Sequence, residues 1–239
     1  MVGLTQDYRD SFFDNMEVSH EGPRLENGWI DNLESGFSLL DRVQPIGGKR
    51  AFDLIFGLLL LVLCGPLLLV AMLALWISSL GRDPVIYRQI RVGRDGKHFT
   101  LLKLRTMCVK AEPWGACMAS ANDPRVTHLG RILRRSRIDE LPQLINVLRG
   151  EMSLIGPRPE RPEYVSVFEV EIPGYSLRHQ VKPGITGLAQ VRCGYAENLQ
   201  DTAVKLYYDL NYIRRNSLAM DMSVLLRTLP VVFFGWGAR

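Results

Sequence analysis

Cysteine is scarce and scattered: Cys64, Cys108, Cys117 and Cys193 are the four in 239 residues, and no two form a C-x-x-C pair. That spacing argues against a zinc site or a disulfide scaffold and fits a reducing compartment. The four histidines show no ligand spacing either. The amino terminus lacks a basic start followed by a short apolar core, so no secretory signal is expected. Charge of either sign is missing from Leu54 through Leu80. An uncharged apolar run of that length is the mark of a helix that enters a membrane.

Where charge does occur it is unevenly placed. Residues 1–48 hold Asp7, Asp10, Asp14, Glu17, Glu21, Glu26, Asp31, Glu34 and Asp41 against Arg9, Arg24 and Arg42. With a net charge of +4 overall, the remainder is distinctly basic. A basic body suits nucleic acid, anionic lipid or phosphorylated substrates. The acidic lead has isolated aromatics and no sustained period, and is expected to be a mobile extension.

Within the apolar run, Gly65-Pro66 sits near the middle. Proline removes a backbone donor and clashes with the preceding turn, a defect of about 3 kcal/mol in an ordinary helix. Lys49 and Arg50 flank one end, and Arg82, Arg88, Arg91 and Arg94 the other. Positive flanks favour the cytoplasm, so both ends are expected there. The path that satisfies both observations is re-entrant, with a hinge at Gly65-Pro66; a simple span is the alternative. Residues 84–107 then read as a β-hairpin around Gly93-Arg-Asp-Gly96. On its second strand Lys103 and Arg105 are two residues apart and share a face, so they could grip a diphosphate. A solvated strand face is the plainer reading. Residues 108–123 read as a loop, a flap over a pocket.

The densest chemistry lies in PRVTHLGRILRRSRIDELPQLINVLRGEMSLIGPRPERP, residues 124–162. Arg125, Arg131, Arg134, Arg135 and Arg137 interleave with Leu129, Ile132, Leu133 and Ile138 at helical spacing. A basic amphipathic helix of this kind suits an anionic membrane surface. Asp139-Glu140 follows, with Pro142 confined to a first helical turn. Alone, such a pair reads as a helix cap. Beside so many cations it can stay ionised, attack phosphorus as a carboxylate nucleophile, or hold Mg²⁺. Arg158, between Pro157 and Pro159, is held in an extended presentation that suits a phosphate.

The order KRAFD, apolar run with a central proline, LLKLRTM, RRSRIDELPQLINVLRGEMSLIGPRPERPEY, VKPGITGLAQV and YDLNYIRRNSLAMDMSVLLRT resembles the bacterial sugar transferase family over residues 47–239. These are monotopic polyprenyl-phosphate phosphoglycosyl transferases. The resemblance implies transfer of a sugar phosphate from a UDP-sugar to undecaprenyl phosphate with release of UMP, at the start of exopolysaccharide or O-antigen assembly. It implies Asp139 as the nucleophile carrying a covalent phosphosugar, Glu140 as its assistant, and Mg²⁺ bound by the pair. Lys103, Arg105, Arg137 and Arg158 become substrate-binding candidates, with Lys182 and Gln190 from the segment that frames the sugar-nucleotide pocket. Asp209 and Asp221 also match family positions. Two departures stand out. Cys64-Gly65-Pro66 replaces the usual Ser-Pro hinge, and the acidic lead is expected to stand where many larger members carry a bundle of membrane helices.

Further along, Glu163–Glu171 and Leu199–Asn216 read as helices, Lys182–Gly187 as a turn-rich loop and Leu188–Val191 as a short strand. Met220–Phe234 reads as an interfacial or core-packed helix, with Trp236 and Arg239 beyond it. The expected fold is α+β, predominantly helical: an acidic extension (1–48), a re-entrant membrane helix (49–82), and a catalytic domain on the cytoplasmic face of the inner membrane (83–239). The expected partners are a UDP-sugar, undecaprenyl phosphate and anionic lipid, with no nucleic acid; a homo-oligomer is left open. The rival reading is a non-catalytic membrane scaffold or regulator.

Overall fold

The computed structural model describes residues 46–109, 111–112, 117, 123–193 and 198–234. The acidic lead, most of the 108–123 loop, Trp236 and Arg239 lie outside them. The first element is a 30-residue helix, α1 (Lys49–Ser78), long and apolar enough to cross a membrane. It remains helical through Gly65 and Pro66, so the expected break is not an interruption of the helix. Proline forfeits its own donor, but the bonds on either side survive, and a nonpolar surrounding offers the backbone no competing partner.

Two ends of α1 meet the same body. At its start, Arg50 donates to the Val147 and Leu148 carbonyls at 2.6 and 2.7 Å. Lys49 pairs with buried Asp221 at 2.6 Å. Buried Asp53 accepts from Ser153 Oγ and Leu154 N at 2.9 and 3.0 Å. Gly57 is buried where the helix passes Val147 and Leu148. Toward its far end, Leu68, Ala71 and Leu75 are buried with Leu104 and Leu133. The outward face stays bare: Ile55, Leu63 and Leu69 are 65%, 66% and 67% exposed. A contiguous apolar face of this size needs lipid or protein against it.

The hairpin forms as expected. Strands β1 (Ile86–Val92) and β2 (His98–Leu104) pair antiparallel, with Tyr87 opposite Lys103. Asp95 and Gly96 at the turn take φ of 56° and 72°, as the Asp-Gly turn of a hairpin requires. Helix α2 (His128–Arg135) is capped by Thr127, whose Oγ1 accepts from Gly130 N at 3.0 Å. A single 3₁₀ turn (Ile138–Glu140) leads through Pro142 into α3 (Gln143–Arg149), which ends on Gly150 at φ 85°.

After α3, strand β3 (Ser153–Ile155) pairs in parallel with β4 (Gly184–Thr186), bracketing α4 (Pro162–Glu171) and a 3₁₀ segment (Tyr175–Gln180). Here the sequence reading needs correcting: Gly184–Thr186, expected in a loop, is strand, and Leu188–Val191, expected as strand, lies in helix α5 (Leu188–Arg192). The cause is tertiary. A Cβ on Gly156 would overlap the Lys182 carbonyl, and one on Gly184 would overlap Gly156 N. Only glycine at both positions lets the two backbones meet, and four residues of LAQV carry too little pattern to separate helix from strand. Helices α6 (Leu199–Arg214) and α7 (Leu218–Phe234) close the body. Leu206, Tyr207, Leu210, Ile213 and Val224 join Val147, Met152 and Ile155 in the main core.

Candidate active site

Asp139 and Glu140 lie in the 3₁₀ turn where α2 gives way to α3, and Arg137 just before them takes a left-handed φ of 59°. The chain reverses sharply there, and both carboxylates turn inward: Asp139 is 6% and Glu140 8% exposed. Asn146 holds α3 against β2, accepting from Leu102 N at 3.1 Å and donating to the Thr100 carbonyl at 2.8 Å. That contact brings Lys103 over the acid pair.

Glu140 is fully engaged. Its Oε1 lies 3.2 Å from Lys103 Nζ and 2.7 Å from Arg158 Nη2, and its Oε2 meets Arg158 Nη1 at 3.4 Å. Burial works to raise its pKa, but Arg158 and Lys103 outweigh it and hold the carboxylate well below its usual range. Asp139 is in the opposite position. Its Oδ1 is buried with no hydrogen-bond donor. Burial first, then the adjacent Glu140 charge, push its pKa up to about 6, against the pull of Lys103, Arg134 and Arg158. Arg134 is fixed by Thr106 Oγ1 at 2.8 Å.

Other candidates fall elsewhere. Arg105 does not join Lys103; it pairs with Asp83, and its amide donates to the Val85 carbonyl at 2.9 Å. The strand ends at Leu104, so the shared face assumed for the two cations is lost. Lys182 points to the base of α1, its Nζ 3.5 Å from where a Gly150 Cβ would stand, beside Arg50. Gln190 donates to the Ile185 carbonyl at 3.0 Å within the β4–α5 connection. The charge of Arg137 also helps to lower the Glu140 pKa. Of the candidates, then, Asp139, Glu140, Lys103 and Arg158 come together, with Arg137 near.

Sequence reasoning missed Arg134, Asn146 and Arg178. Asn146 carried a signal, a polar residue inside the apolar LINVL stretch. Arg178 carried none. A magnesium ion takes about six oxygens and is commonly held by one or two carboxylates plus substrate phosphates. Among the described residues, no three His, Cys, Asp or Glu side chains gather to hold a metal. Asp139 Oδ1 nevertheless fits as a protein ligand, because it is an unpaired acceptor, whereas both Glu140 oxygens face cations. The donor set suits magnesium carried in with a diphosphate.

A buried carboxylate with an unsatisfied oxygen thus lies among cations, beside a helix whose outward face is bare and apolar. The chain belongs to the bacterial sugar transferase family, whose pattern matches residues 44–235. It is 45% identical over 193 residues to a Caulobacter vibrioides UDP-glucose:undecaprenyl-phosphate glucose-1-phosphate transferase, covering 80% of this chain and 72% of that one. It is 44% identical over 191 residues to an Aeromonas hydrophila UDP-N-acetylgalactosamine-undecaprenyl-phosphate N-acetylgalactosaminephosphotransferase, covering 80% of this chain and 45% of that one. The Rhizobium meliloti exopolysaccharide production protein ExoY is 36% identical over 213 residues, 82% and 91% of the two chains. The chain thus spans less than half of the Aeromonas relative and most of the other two.

Proposed function

We propose that this protein transfers a sugar-1-phosphate from a UDP-sugar to undecaprenyl phosphate, releasing UMP, as an initiating step of exopolysaccharide-type assembly. The observation that carries the reading is the division of labour in the acid pair: Glu140 is saturated by Lys103 and Arg158, while Asp139 keeps a bare buried oxygen. The names of the Caulobacter and Aeromonas relatives supply the donor and acceptor classes.

In the first step an Asp139 carboxylate oxygen attacks the β-phosphorus of the donor. The new oxygen–phosphorus bond forms as the bond to the bridging oxygen breaks, and UMP leaves with that electron pair. In the second step a phosphate oxygen of undecaprenyl phosphate attacks the same phosphorus and returns Asp139 as a carboxylate. Arg158 and Lys103 meet the charge of the diphosphate as it builds on the departing oxygen. Glu140 holds those two cations in register and, through its own charge, keeps Asp139 basic. Burial strips water from the nucleophile and strengthens each of these interactions. Bound magnesium, held by Asp139 and the diphosphate, would neutralise further charge on the leaving nucleotide.

The same reading seats the catalytic body on the cytoplasmic face of the inner membrane, with α1 re-entrant. Support comes from one face of α1 packing on that body from Lys49 through Leu60 and Leu61 to Leu75 while the opposite face stays bare; a helix crossing about 30 Å of hydrocarbon would carry one end away. Half-exposed Ile132 beside exposed Arg131 and Arg135 gives α2 a surface suited to anionic headgroups.

The test is UMP release from UDP-glucose and UDP-N-acetylhexosamines with undecaprenyl phosphate in detergent, together with trapping of a radiolabelled phosphosugar on the protein. Release and trapping by wild type, both abolished in Asp139→Asn, are expected. Turnover that survives Asp139→Asn would remove the covalent step, and no release with any donor would leave the membrane-scaffold reading.

A further inference from the structure

The Pro-Arg-Pro turn cannot hold itself. Pro157 and Pro159 have no backbone donor, and the turn lies outside the β-strands. Each of its carbonyls is instead caught from elsewhere. Gly184 N donates to the Pro157 carbonyl at 2.9 Å. Arg91 Nη1 donates to that of Pro159 at 3.0 Å. Between them, the carbonyl of Arg158 itself accepts from Arg178 Nη2 at 2.9 Å.

Arg178 is built for that contact. It is 6% exposed, and its guanidinium spends every nitrogen. Nε and Nη2 reach Asp209 Oδ2 at 3.1 and 2.7 Å, and Nη1 donates to the Tyr175 hydroxyl at 2.7 Å. Asp209, on α6, is 2% exposed. A buried ion pair is an uncertain source of stability, because desolvating the two charges offsets their attraction. What the fork does supply is direction: a planar group fixed at two corners points its remaining N–H along one line. That line ends on the main chain of the residue whose side chain grips Glu140 at 2.7 Å.

We propose that Arg178, locked by Asp209, is a positioning residue for the transfer: it sets the backbone of Arg158 so that the guanidinium meets Glu140 and the donor diphosphate. Arg178 touches no reacting atom. It works only through Arg158, and so belongs to the donor half of the reaction. This assignment rests on the two-step reading above.

The experiment compares Arg178→Lys, which keeps the charge but not the fork, in the wild-type and Arg158→Lys backgrounds. Steady-state rates are measured against each substrate in turn. In a two-step transfer, kcat/KM for the UDP-sugar reports the first half and kcat/KM for undecaprenyl phosphate the second. In the wild-type background, Arg178→Lys should lower kcat/KM for the UDP-sugar about 10–100-fold, the scale of an ångström-sized misplacement. The undecaprenyl phosphate ratio should change far less, whereas loss of folded enzyme lowers both together. In the Arg158→Lys background the donor-side loss should shrink to a few-fold, because the residue it acts through is already compromised. Asp209→Asn, close in shape, is measured the same way should Arg178→Lys fail to fold. An equal fall in both ratios, a full-size loss persisting beside Arg158→Lys, or no loss at all overturns the assignment. A wild type that releases no UMP overturns the transferase reading and this inference with it; a working wild type with an additive cycle overturns this inference alone.

Discussion

Replacing Asp139 by Asn removes the proposed nucleophile and also a charge that burial in this fold disfavours. The carboxyl is pushed from its ordinary 3.8 up to about 6, chiefly by burial and then by Glu140. With the folded value above the unfolded one, the native state binds more protons between about pH 4 and 6. Stability therefore falls as pH rises through that window, and the full penalty is present above it. About two pH units at ~1.4 kcal/mol each gives a penalty of ~3 kcal/mol at pH 8, of which roughly half remains at pH 5. Asparagine has nearly the same shape and cannot ionise. The inactive variant should accordingly unfold roughly 6–12 °C above wild type at pH 8, with the gap narrowing by about half at pH 5. Thermal unfolding in detergent at the two pH values reads this out. An Asn variant no more stable at pH 8, or a gain unchanged between the two, would refute the account of Asp139 as a strained buried carboxylate.

The same titration should appear in turnover: kcat/KM for the UDP-sugar is expected to fall on an acid limb near pH 6, as the nucleophile gains its proton. Arg134→Met removes a cation that holds that value down, so the limb should move to higher pH, as a rate profile will report. Asp53→Ala strips the acceptor from Ser153 Oγ and Leu154 N, both buried, and should cost about 1–3 kcal/mol in denaturant unfolding. Gly156→Ala drives a methyl into the Lys182 carbonyl; destabilisation of about 1–3 kcal/mol and a loss of activity from the displaced Arg158 turn are expected in the same assays.

Much of this protein was written in local pattern. The uncharged stretch from Leu54 to Leu80 demands an apolar helix whatever surrounds it, and Asp95-Gly96 between alternating strands demands a hairpin turn. The acid pair, the arginines around it and Arg158 between prolines were legible because unusual residue types crowd a short segment. Only tertiary structure decided their surroundings. Which acid keeps a free oxygen depends on Lys103 and Arg158 arriving from two distant elements and both choosing Glu140. Arg105, two residues from Lys103, went to Asp83 because the strand ends between them. Arg178 looked like any surface arginine, since nothing near it in the chain foretells Asp209 or the Arg158 carbonyl. The parallel pairing of β3 with β4 was hidden for the same reason: it rests on Gly156 and Gly184 standing face to face, a contact between residues far apart in the chain.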